Sequence, residues 1–176
     1  RQIQLMQDFE TTVIHIIPSY ALHLYSVFEE LKVDPRKDTK VRIAFVGAEP
    51  HTEKTRKKIE EFYGWKAFNS YGLSEMNGPG VGFECQARHG MPVWEDHFLL
   101  EVVDPQTGEV QVLSPGATLG YYKAPELTAE LFTADGWLRT GDKGEIDAAG
   151  RLRLVGRIKD NFKSSKGKYV APAPIE

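Results

Sequence analysis

Tyr71, Ser74 and Glu75 place an aromatic ring, a hydroxyl and a carboxylate within five residues of one stretch, Asn69 to Gly82, N-S-Y-G-L-S-E-M-N-G-P-G-V-G. Each residue type meets one need of a nucleotide carrying its metal. A tyrosine ring offers a flat face to a base, a serine hydroxyl donates to an anionic oxygen, and a carboxylate holds a hard cation such as Mg²⁺. Gly78, Pro79 and Gly80 follow at once and read as a loop, where glycine admits close approach to a ligand and proline stiffens the chain. A strand ending in a polar turn has the same local composition, so the five residues alone leave both readings open.

Other residues carry weaker versions of the same chemistry. Asp142, in Thr140-Gly141-Asp142, has the type needed to accept both hydroxyls of a ribose, or it is a plain turn aspartate. Arg157, in Gly156-Arg157-Ile158-Lys159-Asp160, suits a ribose or phosphate oxygen, or is ordinary surface charge. Lys163, Lys166 and Lys168 read as a solvated basic loop sooner than as a phosphate site. Cys85, His89 and His97, near Glu84, Glu95 and Asp96, form an irregular and weak zinc pattern. His15, inside an apolar run, reads as a hydrogen-bonded core histidine, and His23 is unassigned. The chain has no G-x-x-x-x-G-K-[ST], no G-x-G-x-x-G opening a helix and no G-x-S-x-G, which moves P-loop kinases, dinucleotide enzymes and ordinary hydrolases out of the front rank.

The elements that must position these residues follow from apolar patterning. After the end of a helix at Arg1 to Glu10, Thr11 to Pro18 reads as a strand buried on both faces. A helix capped by Ser19 runs to about Val33, Val41 to Val46 is a second strand closed by Gly47, and His51 to Tyr63 is a helix with Thr52 as its cap. Ala67 to Tyr71 is the third strand. Strand, helix, strand, helix, strand with short connections predicts an α/β fold: a parallel sheet flanked by helices. Ligands on such sheets lie beyond the carboxyl ends of the strands, where Pro18-Ser19-Tyr20, Gly47-Ala48-Glu49-Pro50 and Tyr71 to Gly82 belong.

From about His97 the pattern shortens. Strands at Phe98 to Val103, Glu109 to Leu113, Trp137 to Asp147 and Leu152 to Val155, with a short helix at Pro125 to Phe132 (Thr128 and Glu130 outward), predict a small, mainly antiparallel β subdomain. The expected division is 1–96 as an α/β nucleotide- and acyl-binding part, 97–158 as the β subdomain, and 159–176 as a hinge and the start of a further domain.

Composition sets the outer bounds. The 176 residues suffice for one core or two small subdomains, and 41% hydrophobic with 27% charged residues is ordinary for a globular protein. A net charge of −3 argues against a nucleic-acid partner. One cysteine, Cys85, allows no internal disulfide and fits a reducing, cytoplasmic setting. No apolar run approaches the roughly 20 residues of a membrane span, and Arg1-Gln2 does not open a signal peptide. Oligomeric state is not legible.

Taken in order, these stretches resemble the adenylate-forming superfamily of acyl–CoA ligases, acyl-adenylate synthetases and luciferases. Through about Gly108 the chain is similar to phenylacetate–CoA ligases, in Gln7-Asp8-Phe9, Pro18-Ser19-Tyr20, Gly47 to Pro50, Tyr71 to Gly80 and Trp94 to Phe98. The later stretches resemble long-chain fatty acid–CoA ligases, in Leu119 to Tyr122, Asp135 to Asp142, Gly156 to Asp160 and Gly167 to Glu176. The resemblance implies that Gly47, Ala48 and Glu49 line an adenine pocket, that Tyr71, followed by Gly72, stacks on adenine, and that Ser74 meets the α-phosphate while Glu75 ligates Mg²⁺. It implies Asp142 and Arg157 on the ribose, Tyr20, Pro79 and Gly80 beside the acyl pocket, and Lys159 as a domain hinge. The implied reaction joins a carboxylic acid to coenzyme A through an acyl-adenylate, at the expense of ATP. The superfamily's phosphate loop and its lysine-bearing C-terminal domain have no counterpart in these 176 residues, so weak or no activity of this chain alone is the expectation, with nucleotide binding without turnover, or a purely structural role, as rivals.

Overall fold

A computed structural model describes residues 1–49, 51–102, 107–158, 162–163 and 169–170. The chain forms two compact units: Arg1–Gly72 with Phe83–Met91, and Leu73–Gly82 with Pro92–Glu176.

In the first unit three strands, β1 (Val13–Ile16), β2 (Ile43–Val46) and β3 (Lys66–Leu73), lie parallel in chain order. Helix α1 (Gln2–Asp8) precedes them, α2 (Pro18–Glu30) and the short α3 (Pro35–Asp38) connect β1 to β2, and α4 (Glu53–Tyr63) connects β2 to β3. Side chains alternate along a strand, so Ile16, Ala44, Val46 and Ala67 fall on one face and bury against Ile3, Met6, Leu24, Phe28, Ile59 and Tyr63 of the helices. Burial of each of the larger side chains contributes about 1.5–3 kcal/mol. Tyr63 stacks on Trp65 at 3.8 Å between ring centroids and donates its hydroxyl to Ala21 O at 2.6 Å, so a polar tip is satisfied deep in this core. Helix ends follow local chemistry. Pro18 opens α2 at its first turn, Thr52 Oγ1 accepts from Thr55 N to cap α4, and Gly64 closes α4 in the left-handed region at φ 71°.

In the second unit a single 3-10 turn, Ser74–Met76, leads into β4 (Gly78–Phe83). Strands β5 (Leu99–Val102), β6 (Glu109–Leu113), β7 (Leu138–Ile146) and β8 (Leu152–Arg157) form an antiparallel sheet in that order. Val110, Val112, Leu138 and Leu152 are its buried centre, and Gly144 lies so close that a Cβ there would meet Val110 and Leu152. Helix α5 (Pro125–Leu131) starts on a proline, and two short strands, β9 (Phe162–Lys163) and β10 (Tyr169–Val170), pair antiparallel.

Several expectations change. β1 is not buried on both faces: Val13, His15 and Ile17 are exposed and only the Ile14–Ile16 face is covered. His15 is therefore no core residue, although it is hydrogen-bonded, through Nε2 to Ser70 Oγ at 2.9 Å. Ser19 does not cap α2; Ile17 holds that position because Pro18 already starts the helix. Gly78-Pro79-Gly80 opens a strand and is not a loop. Thr128 turns inward, where Oγ1 accepts from Tyr121 N and donates to Ala124 O. α3 went unforeseen, though Asp34 followed by Pro35 is a cap followed by a first-turn proline. Pro50, Lys159, Lys166, Lys168 and residues 104–106 of a hairpin turn expected over Asp104 to Gly108 lie outside the described residues.

Candidate functional site

The parallel register of the first unit sets Ile16 beside Val46 and Val46 beside Asn69, so the segments that follow all emerge at one edge. These are Pro18-Ser19-Tyr20, Gly47-Ala48-Glu49 and Ser70-Tyr71-Gly72. Glu49 draws the first two together. Its Oε1 accepts from Ser19 N at 2.5 Å and its Oε2 from Ser19 Oγ at 3.0 Å, a charge-assisted pair of bonds that occupies both carboxylate oxygens. Gly47 binds the second to the third by closeness alone: a Cβ at this position would stand 2.3 Å from Ser70 O and 2.5 Å from Ser70 Oγ. Ala48 holds φ 67°, a left-handed conformation unusual for alanine and a local strain of the kind that collects in ligand loops. Tyr20 donates its hydroxyl to Gln2 Oε1 at 2.6 Å. Tyr71 is buried, 6% exposed.

A buried network braces this edge from behind. Glu84 Oε2 accepts from Asn69 N at 3.0 Å and from Arg56 Nη1 at 3.4 Å, and Arg56 also pairs with Glu53. Asn69 Oδ1 meets His51 Nε2 at 2.7 Å, tying the start of the α4 segment to β3. Sequence reading gives Arg56, Glu53, Asn69 and His51 no role in such a network and names Glu84 only beside the weak zinc pattern; a carboxylate at 84, after an apolar strand, is the available signal.

The second unit holds the remaining residues. Ser74 is exposed on the 3-10 turn, and the buried Met76, 2% exposed, anchors that turn. Glu75 is half-buried; its Oε1 accepts from Tyr121 Oη at 2.6 Å and its backbone O from Thr118 N at 2.7 Å. The hydrogen bond to Glu75, with burial behind it, pushes the Tyr121 phenol up to about 12. Mg²⁺ is commonly held by one or two carboxylates together with phosphate oxygens and water, so the Glu75 carboxylate, on the same 3-10 turn as Ser74, is a donor of the right hardness. Pro79 is exposed, and Gly80 stands at φ 133° in β4.

Asp142 is not in a turn but inside β7, directly opposite Arg157 at the end of β8, with Arg157 Nε 3.0 Å from Asp142 Oδ1. Glu109 organises the backbone next to it, accepting from Gly141 N at 3.2 Å and from Arg139 Nη1 at 3.2 Å. Thr140 Oγ1 donates to Val110 O and accepts from Asp142 N at 3.0 Å. The zinc pattern does not come together: among the described residues no group of three or more His, Cys, Asp and Glu is placed to hold a metal ion. Cys85 is exposed, and His97 pairs with Asp96 at 3.1 Å. No helix among the described residues is long and apolar enough to cross a membrane.

A helix-backed parallel sheet, ligand-type loops at its carboxyl edge and an antiparallel β unit form the fold of the adenylate-forming enzymes. An amide bond synthetase from Marinactinospora thermotolerans superposes with a TM-score of 0.70 at 24% identity, over 99% of this chain and 37% of the other, which establishes the fold alone. In sequence the chain is similar to the phenylacetate–coenzyme A ligases. The Aromatoleum evansii ligase of that name is 45% identical over 182 aligned residues, 100% of this chain and 40% of the relative. A human long-chain-fatty-acid–CoA ligase is 32% identical over 166 aligned residues, 86% of this chain and 24% of the relative. The phenylacetate likeness thus extends past Gly108 to the whole chain, and the long-chain likeness overlaps most of it. This chain spans about 40% of the length of the phenylacetate–coenzyme A ligases it aligns with end to end. No protein-family model matches it.

Proposed function

We propose that this chain is the central part of an ATP-dependent, AMP-forming carboxylate–CoA ligase whose acid is phenylacetate or a near relative. The observation that carries the reading is 45% identity along the entire chain to a phenylacetate–coenzyme A ligase. A long-chain fatty acid is the second reading, favoured by the 32% identity over 86% of the chain.

In the first unit Gly47, Ala48 and Glu49 take the adenine pocket, with Glu49 fixed by its two bonds from Ser19. Tyr71 offers its ring to the base, with Gly72 keeping the backbone beside it slim. Tyr20 is assigned to the acyl group, an assignment that Pro79 and Gly80 carry in the second unit. In the second unit Asp142 accepts the ribose hydroxyls, oriented by Arg157. Ser74 donates to the α-phosphate, and Glu75 holds the cation. Lys159, outside the described residues, is the proposed hinge. Mg²⁺, when bound, supplies charge neutralisation on the phosphates.

The chemistry is acyl activation. A carboxylate oxygen of the acid attacks the α-phosphorus of ATP, and the bond to pyrophosphate breaks. The thiolate of coenzyme A then attacks the acyl carbon, and AMP leaves. The residues of this chain lower the first barrier by positioning and by donating toward charge that grows on the α-phosphoryl oxygens, the part given to Ser74. A small-molecule acid, ATP and coenzyme A are the proposed partners, with no nucleic acid, and a reducing cytoplasmic location fits the exposed Cys85.

The test is pyrophosphate release by the protein with Mg-ATP, comparing phenylacetate with a long-chain fatty acid. Release with phenylacetate alone supports the reading. Release with the fatty acid alone transfers the chain to the second reading. Binding of AMP without release for either acid supports the nucleotide site alone and fits the weak or absent activity expected of this chain by itself, and absence of AMP binding overturns the proposal.

A further inference from the structure

The Glu75 carboxylate is clamped from one short segment that the functional assignments above leave unused. The Thr118 N–H donates to the Glu75 carbonyl at 2.7 Å, and three residues on the Tyr121 hydroxyl donates to Glu75 Oε1 at 2.6 Å. Two bonds to one residue, 43 and 46 positions away in sequence, hold both its backbone and its side chain. The segment is itself held. Tyr121 N donates to Thr128 Oγ1 at 2.9 Å on α5, and Gly120, at φ 140°, packs where a Cβ would overlap the Thr128 methyl. Tyr121 is 41% exposed, so its ring is not committed to a core. What it commits is its hydroxyl. A phenol that donates to a carboxylate gives a short, charge-assisted bond, and that bond removes one of the two oxygens from competition. Among the described residues no group approaches the other oxygen, Oε2, within hydrogen-bond distance.

We propose that Tyr121 is a positioning residue for cation binding: its phenol fixes the Glu75 carboxylate and presents Oε2 as a single, oriented ligand. This rests on the assignment of Glu75 as the carboxylate that meets the nucleotide's cation. An unclamped glutamate samples several rotamers and can offer either oxygen or both, whereas a clamped one has already lost that freedom before the cation arrives. Groups one bond removed from a metal act in this way, and their loss typically weakens binding 10- to 100-fold.

The experiment uses Mn²⁺ as the probe, titrated by its EPR signal into the protein saturated with a non-hydrolysable ATP analogue. Tyr121→Phe keeps the ring and removes only the hydroxyl. AMP affinity is measured in parallel with the metal chelated, and the same pair of titrations is made for Glu75→Gln and for the double variant. The expected result is a loss of Mn²⁺ affinity of about 10-fold or more in Tyr121→Phe, with metal-free AMP affinity unchanged and no further loss when Tyr121→Phe is added to Glu75→Gln. Unchanged Mn²⁺ affinity in Tyr121→Phe overturns the proposal while the functional reading stands. An equal loss of metal-free AMP affinity also overturns it, because the hydroxyl then merely supports the loop. Wild-type protein that binds neither nucleotide nor Mn²⁺ overturns the functional reading, and this proposal with it.

Discussion

Arg157 Nε lies 3.0 Å from Asp142 Oδ1, across directly paired positions of β7 and β8. Cross-strand pairing makes the contact local even though 15 residues separate the two side chains. The pair is partly open, with the Arg157 side chain 54% exposed, so its own worth to stability is small. Its consequence is orientation: one carboxylate oxygen is engaged and the group has a preferred plane. Asp142→Ala is expected to weaken AMP binding by about 1–3 kcal/mol, the cost of losing hydrogen bonds to a charged group. Arg157→Met should cost less, about 0.5–1 kcal/mol, because the acceptor remains and only its orientation is lost. Isothermal titration with AMP reads both; an Asp142→Ala affinity equal to wild type removes Asp142 from the ribose.

Gly47→Ala is expected to damage stability and nucleotide affinity together. The added carbon would overlap the Ser70 carbonyl and hydroxyl, so the edge must open and the His15–Ser70 bond is disturbed with it. Overpacking of this kind costs about 1–3 kcal/mol. Urea denaturation of the variant checks it, and an undiminished midpoint would show that the loop relaxes freely.

Glu84→Ala removes the acceptor shared by Asn69 N and Arg56, whose side chains at 84 and 56 are only 4% and 8% exposed. Glu53 still holds Arg56, which places the loss near the lower end for a broken buried pair, about 3 kcal/mol. The companion change Glu53→Ala touches a 62% exposed carboxylate and should cost under about 1 kcal/mol. Comparison of the two by chemical denaturation tests whether burial is what matters.

Glu60 gives the pH dependence. Burial raises its pKa, but the Arg88 guanidinium and the Ala67 N–H outweigh burial and leave it below the ordinary 4.5. A folded-state pKa below the unfolded one means that the contribution is complete above the unfolded value and is lost as pH falls through the folded one. Arg88→Met removes the main lowering partner and leaves the burial, so the Glu60 pKa rises. Acid unfolding of that variant should begin at higher pH than in the wild type. Acid-unfolding curves that superpose would show that Glu60 does not contribute.

Much of this protein was legible from its chain. The three parallel strands follow from apolar runs separated by helical stretches, Thr52 marks the start of α4 and Tyr63 its last residue, and Glu109 to Leu113 is a strand with the bounds read for it. The motif around Tyr71 to Glu75 marked the site because its residue types are rare together. What went astray depended on neighbours distant in sequence. Whether β1 shows one face or two, whether His15 lies inside, and whether Thr128 faces out are set by what packs alongside, and residue type carries no record of that. Asp142 reads as a turn aspartate although the strand read over Trp137 to Asp147 already contains it; what the sequence does not show is that it lies directly opposite Arg157.

The division has a physical basis. Local propensity, capping and glycine freedom act over a few residues, so the amino-acid sequence by itself determined the order of elements and the chemical types available at the edge of the sheet. Hydrogen bonds that span tens of residues were decided only by tertiary structure: Glu49 to Ser19, Glu84 to Asn69, Tyr121 to Glu75. Each needs two segments brought together by burial elsewhere, and a bond of 2.5–3.0 Å forms or fails on displacements that no pattern of residue types encodes.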